Sequence, residues 1–248
     1  MFGSGMKGRR MGRWNPEPEP PEGGFKPVDP VLLKKLRRFA EESMRQGKLP
    51  YHNRAHIRQF MRDADFLARG EGLGPEAREN IMIAAMFHDI GNIVEREGHE
   101  QTGKRLLHKL LSGTELEPRR EEIERLIIAT DFTREPKTTA EKIMRDSDIA
   151  SKGRRLLGGF FYQGRKLCRE MKETGAFPKT ESEWFKTCEQ ILSIPFYTRT
   201  AQARWEKGRL ANLASIKRQK QYHELRRTGI KPVKAFVKSR KTERPRAK

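Results

Sequence analysis

At 248 residues, with a net charge of +20 from 53 Lys plus Arg against 33 Asp plus Glu, the chain has room for one large domain with tails. Its longest apolar run is the seven residues Ile81 to Phe87, against about 20 needed to cross a bilayer, so no membrane span is expected, and no apolar stretch follows the first positive charges as in a secretory signal. The two cysteines, Cys168 and Cys188, have no C-x-x-C pairing, which argues against a disulfide framework and points to buried thiols in a reducing compartment, with the cytoplasm as the expected location.

The charge is uneven along the chain. From Ala201 to Lys248 there are 16 Lys plus Arg against 3 Asp plus Glu, whereas Val31 to Thr200 carries 32 against 26. Residues 1–29, which include WNPEPEPPEGG, are rich in Gly, Pro and charge and predict a disordered segment. Residues 30–218 read as one helical domain, and residues 219–248 as a basic tail. Asp29-Pro30 starts the first helix, with Asp as cap and Pro in the first turn, and Leu32, Leu33, Leu36, Phe39 and Ala40 follow at helical spacing. Further helices are predicted over 51–68, 75–89, 99–111, 118–130, 138–157 and 159–173. Thr180 to Glu183 reads as a capping box ahead of Trp184, Phe185, Cys188, Ile191 and Leu192, and a last helix covers about 198–226. Strand-like alternation is nearly missing, so the fold class is all-α: a helical bundle with a metal site at its centre.

The chemistry concentrates in YHNRAH at Tyr51 to His56, the His88-Asp89 pair of AAMFHDIGN, and the DSD triplet at Asp146 to Asp148. His52 and His56, four residues apart, project from one helix face about a turn from each other. His88 and Asp89 diverge by roughly 100° on a helix, so both reach one ion only near a helix end, which Gly91 and Asn92 supply. The apolar run before them delivers the pair from a buried helix, where an unpaired Asp beside a His is costly unless ion-paired or metal-bound. Asp146 and Asp148 compete for the remaining carboxylate role. Two neutral imidazoles plus carboxylates from three segments suit a divalent ion such as Mn, Mg, Co, Ni or Fe with open positions. A closed structural zinc site would instead want closely spaced cysteines.

The order H…HD…D introduced by YHN-x-x-H resembles the HD-domain superfamily of metal-dependent phosphohydrolases, and most closely the small bacterial predicted HD phosphohydrolase group. The likeness extends to GHEQTG with Glu100, LIIAT at Leu126 to Thr130, the D-x-D-[LI] string and RLANL at Arg209 to Leu213, covering roughly residues 31–217. It implies His56, His88, Asp89 and Asp148 as metal ligands, Asp148 being preferred to Asp146 because Ile149 matches the D-[LI] ending. It implies His52 as the general acid on the leaving oxygen, with Glu100 and Asp131 near the ligands. The string HDIGN carries Asn92 where a further His would serve a second metal, and Asp131-Phe132-Thr133 follows IAT where a His is common in the closest group. One metal is therefore expected rather than two, with Asp131 as a second-metal or outer carboxylate, and His99, His108 and His223 are expected on the surface.

The implied reaction is attack of a metal-bound water on a phosphate ester of a nucleotide or similar small molecule, with His52 protonating the departing alkoxide. Arg54, Arg145 and Lys152 are candidates for phosphate oxygens because they lie close in sequence to the ligands. A different class of function is a nucleic-acid-associated protein, with the basic tail on the phosphate backbone and the helical domain as scaffold. Only Tyr222 and Phe236 stand in that tail, too few for a stacking platform. A di-iron oxygenase on the same fold would require further ligands near Asn92.

Overall fold

In the computed structural model, residues 25–154, 160–176 and 180–227 are described. Most of the N-terminal segment and residues 228–248 of the basic tail, with the functions expected of them, lie outside the described residues. Nine α-helices and three short 3-10 turns make up the described secondary structure. The helices are α1 (Pro30–Gly47), α2 (Arg54–Gly70), α3 (Pro75–Phe87), α4 (His99–Leu111), α5 (Arg120–Ile128), α6 (Thr139–Asp148), α7 (Phe160–Glu173), α8 (Glu181–Ser193) and α9 (Arg199–Arg227). The expected all-α architecture is what the chain adopts.

Local sequence starts these helices. Asp29 accepts a hydrogen bond from the Val31 amide, with Pro30 at the first position of α1. Asn53 accepts from the amides of Ala55 and His56 at the start of α2. Thr138 with Glu141, and Thr180 with Glu183, form reciprocal capping boxes at α6 and α8, each satisfying two amides that a helix start leaves free.

The core is built around α3, whose Ile81, Ile83, Ala84, Ala85, Met86 and Phe87 are all buried. Helices α2, α5 and α1 pack against α3, α6 packs on α2, and α4 lies on α5. A smaller core of Phe160, Cys188, Leu192 and Ile216 joins α7, α8 and α9. Helix α6 stops at Asp148, short of the helix expected through residue 157, and a 3-10 turn over Ala150–Gly153 follows. The cause is tertiary: α9 presses so closely that a Cβ on Gly208 would lie 1.9 Å from the Gly153 carbonyl oxygen. Helix α9 is described to Arg227, in keeping with the helix expected over about 198–226, and past residue 218 Lys220 pairs with Glu189 at 3.0 Å and His223 with Glu181 at 2.8 Å on α8. The expected division between domain and tail therefore falls inside a packed helix, and His223, expected on the surface, is an α8 contact. No described helix is long and apolar enough to cross a membrane.

Candidate metal centre

Three elements converge at the C-terminal end of α3. His88 follows the last residue of that helix and is fully buried, and Asp89 next to it is 4 % exposed. Helix α2 brings His56 from its first turn, with His52 just before the cap, and α6 brings Asp148 from its last residue. The Asp89 Oδ2 atom lies 2.9 Å from His88 Nε2 and 3.0 Å from His56 Nε2. His56 Nε2 is 3.4 Å from His88 Nε2 and 3.9 Å from Asp148 Oδ1, and one donor atom from each of His56, His88 and Asp148 falls within 4.8 Å of the others.

Hydrogen bonding says which atoms hold lone pairs. His88 Nδ1 is 3.0 Å from the Ala85 carbonyl oxygen. A carbonyl only accepts, so Nδ1 carries the hydrogen and Nε2 of the neutral ring presents its lone pair to the cluster. A hydrogen-bonded Nδ1 behind a coordinating Nε2 is how protein metal sites fix a ligand imidazole. Asp89 Oδ2 is buried with no hydrogen-bond partner, although two ring nitrogens stand within 3.0 Å of it. Convergent lone pairs around an unsatisfied buried oxygen fit a divalent cation, and the nitrogen and oxygen donors suit a first-row transition ion or magnesium.

Electrostatics agree with that geometry. Burial raises the Asp89 pKa, but His88, His52 and His56 more than reverse this and hold its carboxyl well below the ordinary range. Burial opposes a charged His88, yet Asp89 and Asp148 lift its pKa above the usual value. A proton and a metal ion compete for the same nitrogen there.

His52 lies beside this group. Its Nε2 is 4.0 Å from Asp89 Oδ2, while its Nδ1 makes a short contact with Oε1 of Glu170 on α7. The other Glu170 oxygen accepts from the Tyr51 and His52 amides at 2.8 and 2.9 Å, and Arg96 reaches Glu170 at 3.4 Å. Glu170 is buried, and hydrogen bonds from His52 lower its pKa against the opposing effect of burial. Tyr51 packs its ring on His52 and His56 at 4.7 and 4.8 Å between centroids, and burial followed by Asp148 and Asp89 raises its phenol pKa.

His99, expected on the surface, is instead part of the centre, with its side chain 21 % exposed. Its Nε2 is 3.4 Å from Asp89 Oδ1 and 3.3 Å from Glu100 Oε1, and its Nδ1 is 2.9 Å from the Arg96 carbonyl. Burial opposes its charge, but Asp89 and Glu100 raise its pKa to about 9. Gly91 makes this approach possible, since a Cβ there would sit 2.0 Å from the His99 carbonyl oxygen. His108 remains half-exposed, paired with Glu124.

Other expected residues are engaged elsewhere. The Asp131 carboxylate bonds the Thr133 amide and hydroxyl and pairs with Arg134, and none of its described contacts is to the imidazole cluster. Asp146 accepts from the Tyr197 and Thr198 amides and the Thr198 hydroxyl, anchoring the segment that leads into α9, whereas Asp148 faces His56. Arg145, expected on a substrate phosphate, is buried and donates to the carbonyls of Ala129 and Arg134. Lys152 is likewise buried, donating to the Ile194 carbonyl at 2.5 Å, and Arg54 pairs with Glu41 at 2.6 Å. Arg145 and Lys152 are thus spent on structure, and Arg54 is held on Glu41 of α1.

Residues 54–152 match the family model described as HD domain. No curated protein matches the chain. Among solved structures, a Lactobacillus plantarum protein determined as a Northeast Structural Genomics target is similar, with a TM-score of 0.57 and 14 % identity over 82 % of this chain and 99 % of that one, a likeness of fold. His56, His88, Asp89 and Asp148 all lie inside the matched segment, so over residues 54–152 the chain is similar to the HD domain, a module of metal-dependent phosphohydrolases.

Proposed function

We propose that the chain hydrolyses a phosphate ester of a nucleotide or similar small molecule at this centre, with His56, His88, Asp89 and Asp148 as the ligands of a divalent ion. The observation that carries the reading is the buried, unsatisfied Asp89 Oδ2 between two imidazole nitrogens. A bound divalent ion supplies Lewis acidity, polarising a phosphoryl oxygen and lowering the pKa of water. His52 handles the proton. Its Nδ1 faces Glu170, which fixes the ring, so Nε2 on the cluster side delivers a proton to the leaving oxygen. Arg96 uses one described contact on Glu170, and its other guanidinium hydrogens are available to phosphate oxygens.

His99 and Glu100 extend the site on the far oxygen of Asp89. Their Nε2 and Oε1, with Asp89 Oδ1, would hold a second cation, with Asp89 shared between the two positions. The expectation of one metal came from the local string HDIGN, and this geometry favours two.

Phosphate release from a nucleotide panel with Mn, Mg, Co and Ni, run beside Asp89→Ala, tests the reaction. Loss of at least a thousandfold in the variant is expected, and unchanged turnover would overturn the ligand assignment. Metal analysis tests the second position: two ions per chain should fall to one in His99→Ala, while one ion in both proteins would remove it. Two bound irons with oxygen consumption and no phosphate release would make the centre an oxygenase instead.

A further inference from the structure

Away from the centre, α1 and α2 form a groove of about 480 Å³ lined by Lys34, Arg37, Arg38, Arg45, Arg54 and Arg58 with only Glu41 and Glu42 as acids. It continues into a second hollow of about 510 Å³ that adds Arg62 and one acid, Asp65, with Met61 and Met82 in its wall. We propose that this face binds the phosphodiester backbone of a nucleic acid, through Lys34, Arg37, Arg38, Arg54, Arg58 and Arg62.

Glu41 organises the face. Its carboxylate accepts from Arg37 Nε at 3.1 Å, Arg54 Nε at 2.6 Å, and Arg58 Nε and a terminal nitrogen both at 2.9 Å. One negative charge thus holds three guanidinium groups and neutralises only one of them. The bond from Arg58, with those from Arg37 and Arg54, keeps the Glu41 pKa near 2 against burial, so the frame persists at any working pH. Arg37 and Arg54 give Glu41 only Nε among the described residues, leaving their terminal nitrogens for a phosphate, which a guanidinium binds through two parallel hydrogen bonds.

Solvated helix faces ordinarily alternate Arg with acids at four-residue spacing. Here Arg54, Arg58 and Arg62 recur every four residues, and like charges at that spacing destabilise a helix by a few tenths of a kcal/mol per pair. A polyanion relieves that repulsion. Four helical residues rise roughly 6 Å, close to two steps of a nucleic-acid strand at about 3.4 Å per phosphate. The hollow carries methionines and no exposed aromatic in its lining, which suits backbone contact without base reading. Its concavity recesses several charges from a flat bilayer, and it lacks the aromatic anchor of a protein hot spot. The total charge of +20 adds long-range attraction.

The test is fluorescence polarisation of a labelled 20-base-pair duplex with the full chain. Affinity should fall roughly a thousandfold from 50 to 200 mM salt, since each of the six phosphate contacts contributes about 0.9 to the log–log slope. The variant Arg37→Gln/Arg54→Gln/Arg58→Gln should bind at least tenfold more weakly, with a slope shallower by roughly 3. Because it opens the Glu41 cluster, a second variant, Lys34→Gln/Arg38→Gln/Arg62→Gln, leaves that cluster intact and should show the same loss. A third, with Lys231, Lys234, Lys238, Arg240 and Lys241 all changed to Gln, should bind as the parent does. No duplex binding by the parent would overturn the proposal, as would parental affinity in the second variant, loss confined to the third, or tighter binding to phosphatidylserine vesicles than to duplex.

Discussion

Glu170 is a buried acid whose carboxylate spends both oxygens on Tyr51 and His52, some 118 residues away in the chain. Replacing it by Gln keeps the shape and an acceptor for the amides but removes the carboxylate charge beside His52 Nδ1. Partners behind an active-site group change activity or affinity by about 10–100-fold, and Glu170→Gln should lower kcat by that factor with KM and bound metal unchanged. Equal loss of metal and kcat would show that Glu170 serves the ligands and not His52. Glu170→Asp, which restores the charge on a shorter arm, should recover part of the loss. Nothing in LCREMKE marks this residue: one acid among many in a charged helix acquires meaning only from a contact that no local periodicity encodes. His99 was hidden for the same reason, since GHEQTG reads as a polar helix start. The four ligand candidates could be singled out because YHN-x-x-H, HD and DSD are short strings whose order resembles the HD-domain pattern, and that resemblance, not spacing, preferred Asp148 to Asp146.

Helices α1, α2, α6 and α8 carry a capping signal at their start and a buried stripe behind it, which is why the order of helices could be read from the chain. Ends set by neighbours could not. Helix α6 breaks after Asp148 where Gly153 meets α9. The 3-10 turn over Ile90–Ile93 that follows the HD pair depends on such a contact as well, with the Gly91 Cα against the first residue of α4. Gly91→Ala places a methyl group against backbone, which cannot move aside as a flexible side chain would. Overpacking of this kind costs about 1–3 kcal/mol, measurable by urea unfolding. If α4 yields instead, His99 leaves Asp89, and the bound metal should drop toward one ion per chain. A Gly91→Ala protein with parental stability and parental metal content would show that the close approach has no consequence.

Across the whole molecule, Lys152 ties the main bundle to α9 and titrates while doing so. It donates to Ile194, its ammonium lies 4.9 Å from the Phe196 ring centroid, and Asn212 holds its carbonyl. Burial, then the Arg209 charge, lowers its pKa from an ordinary 10.5 to about 7. The unfolded chain therefore binds more protons than the folded one between about pH 7 and 10.5. This group's penalty is full below that window and is relieved as pH rises through it, by up to about 1.4 kcal/mol per unit. Lys152→Met should gain most over the parent near pH 6 and lose that advantage toward pH 10 in parallel urea titrations. A pH-independent difference would mean the ammonium is not desolvated in the native state. Sequence suggested Lys152 for phosphate binding because it follows Asp148 closely, whereas the fold turns it inward.

The reach of Glu170 from α7 to His52 has one more consequence. The stretch that matches the HD-domain model runs from 54 to 152, and it contains every proposed metal ligand but neither His52 nor Glu170. Ion capture and proton delivery are thus written in different parts of the chain, one inside the common module and the other straddling it. A module that held the ions without this flanking pair would lack the proposed proton donor, so a filled centre would be no guarantee of turnover. Whether a relative is an active hydrolase or a metal-loaded scaffold is a question for the residues on either side of the shared domain.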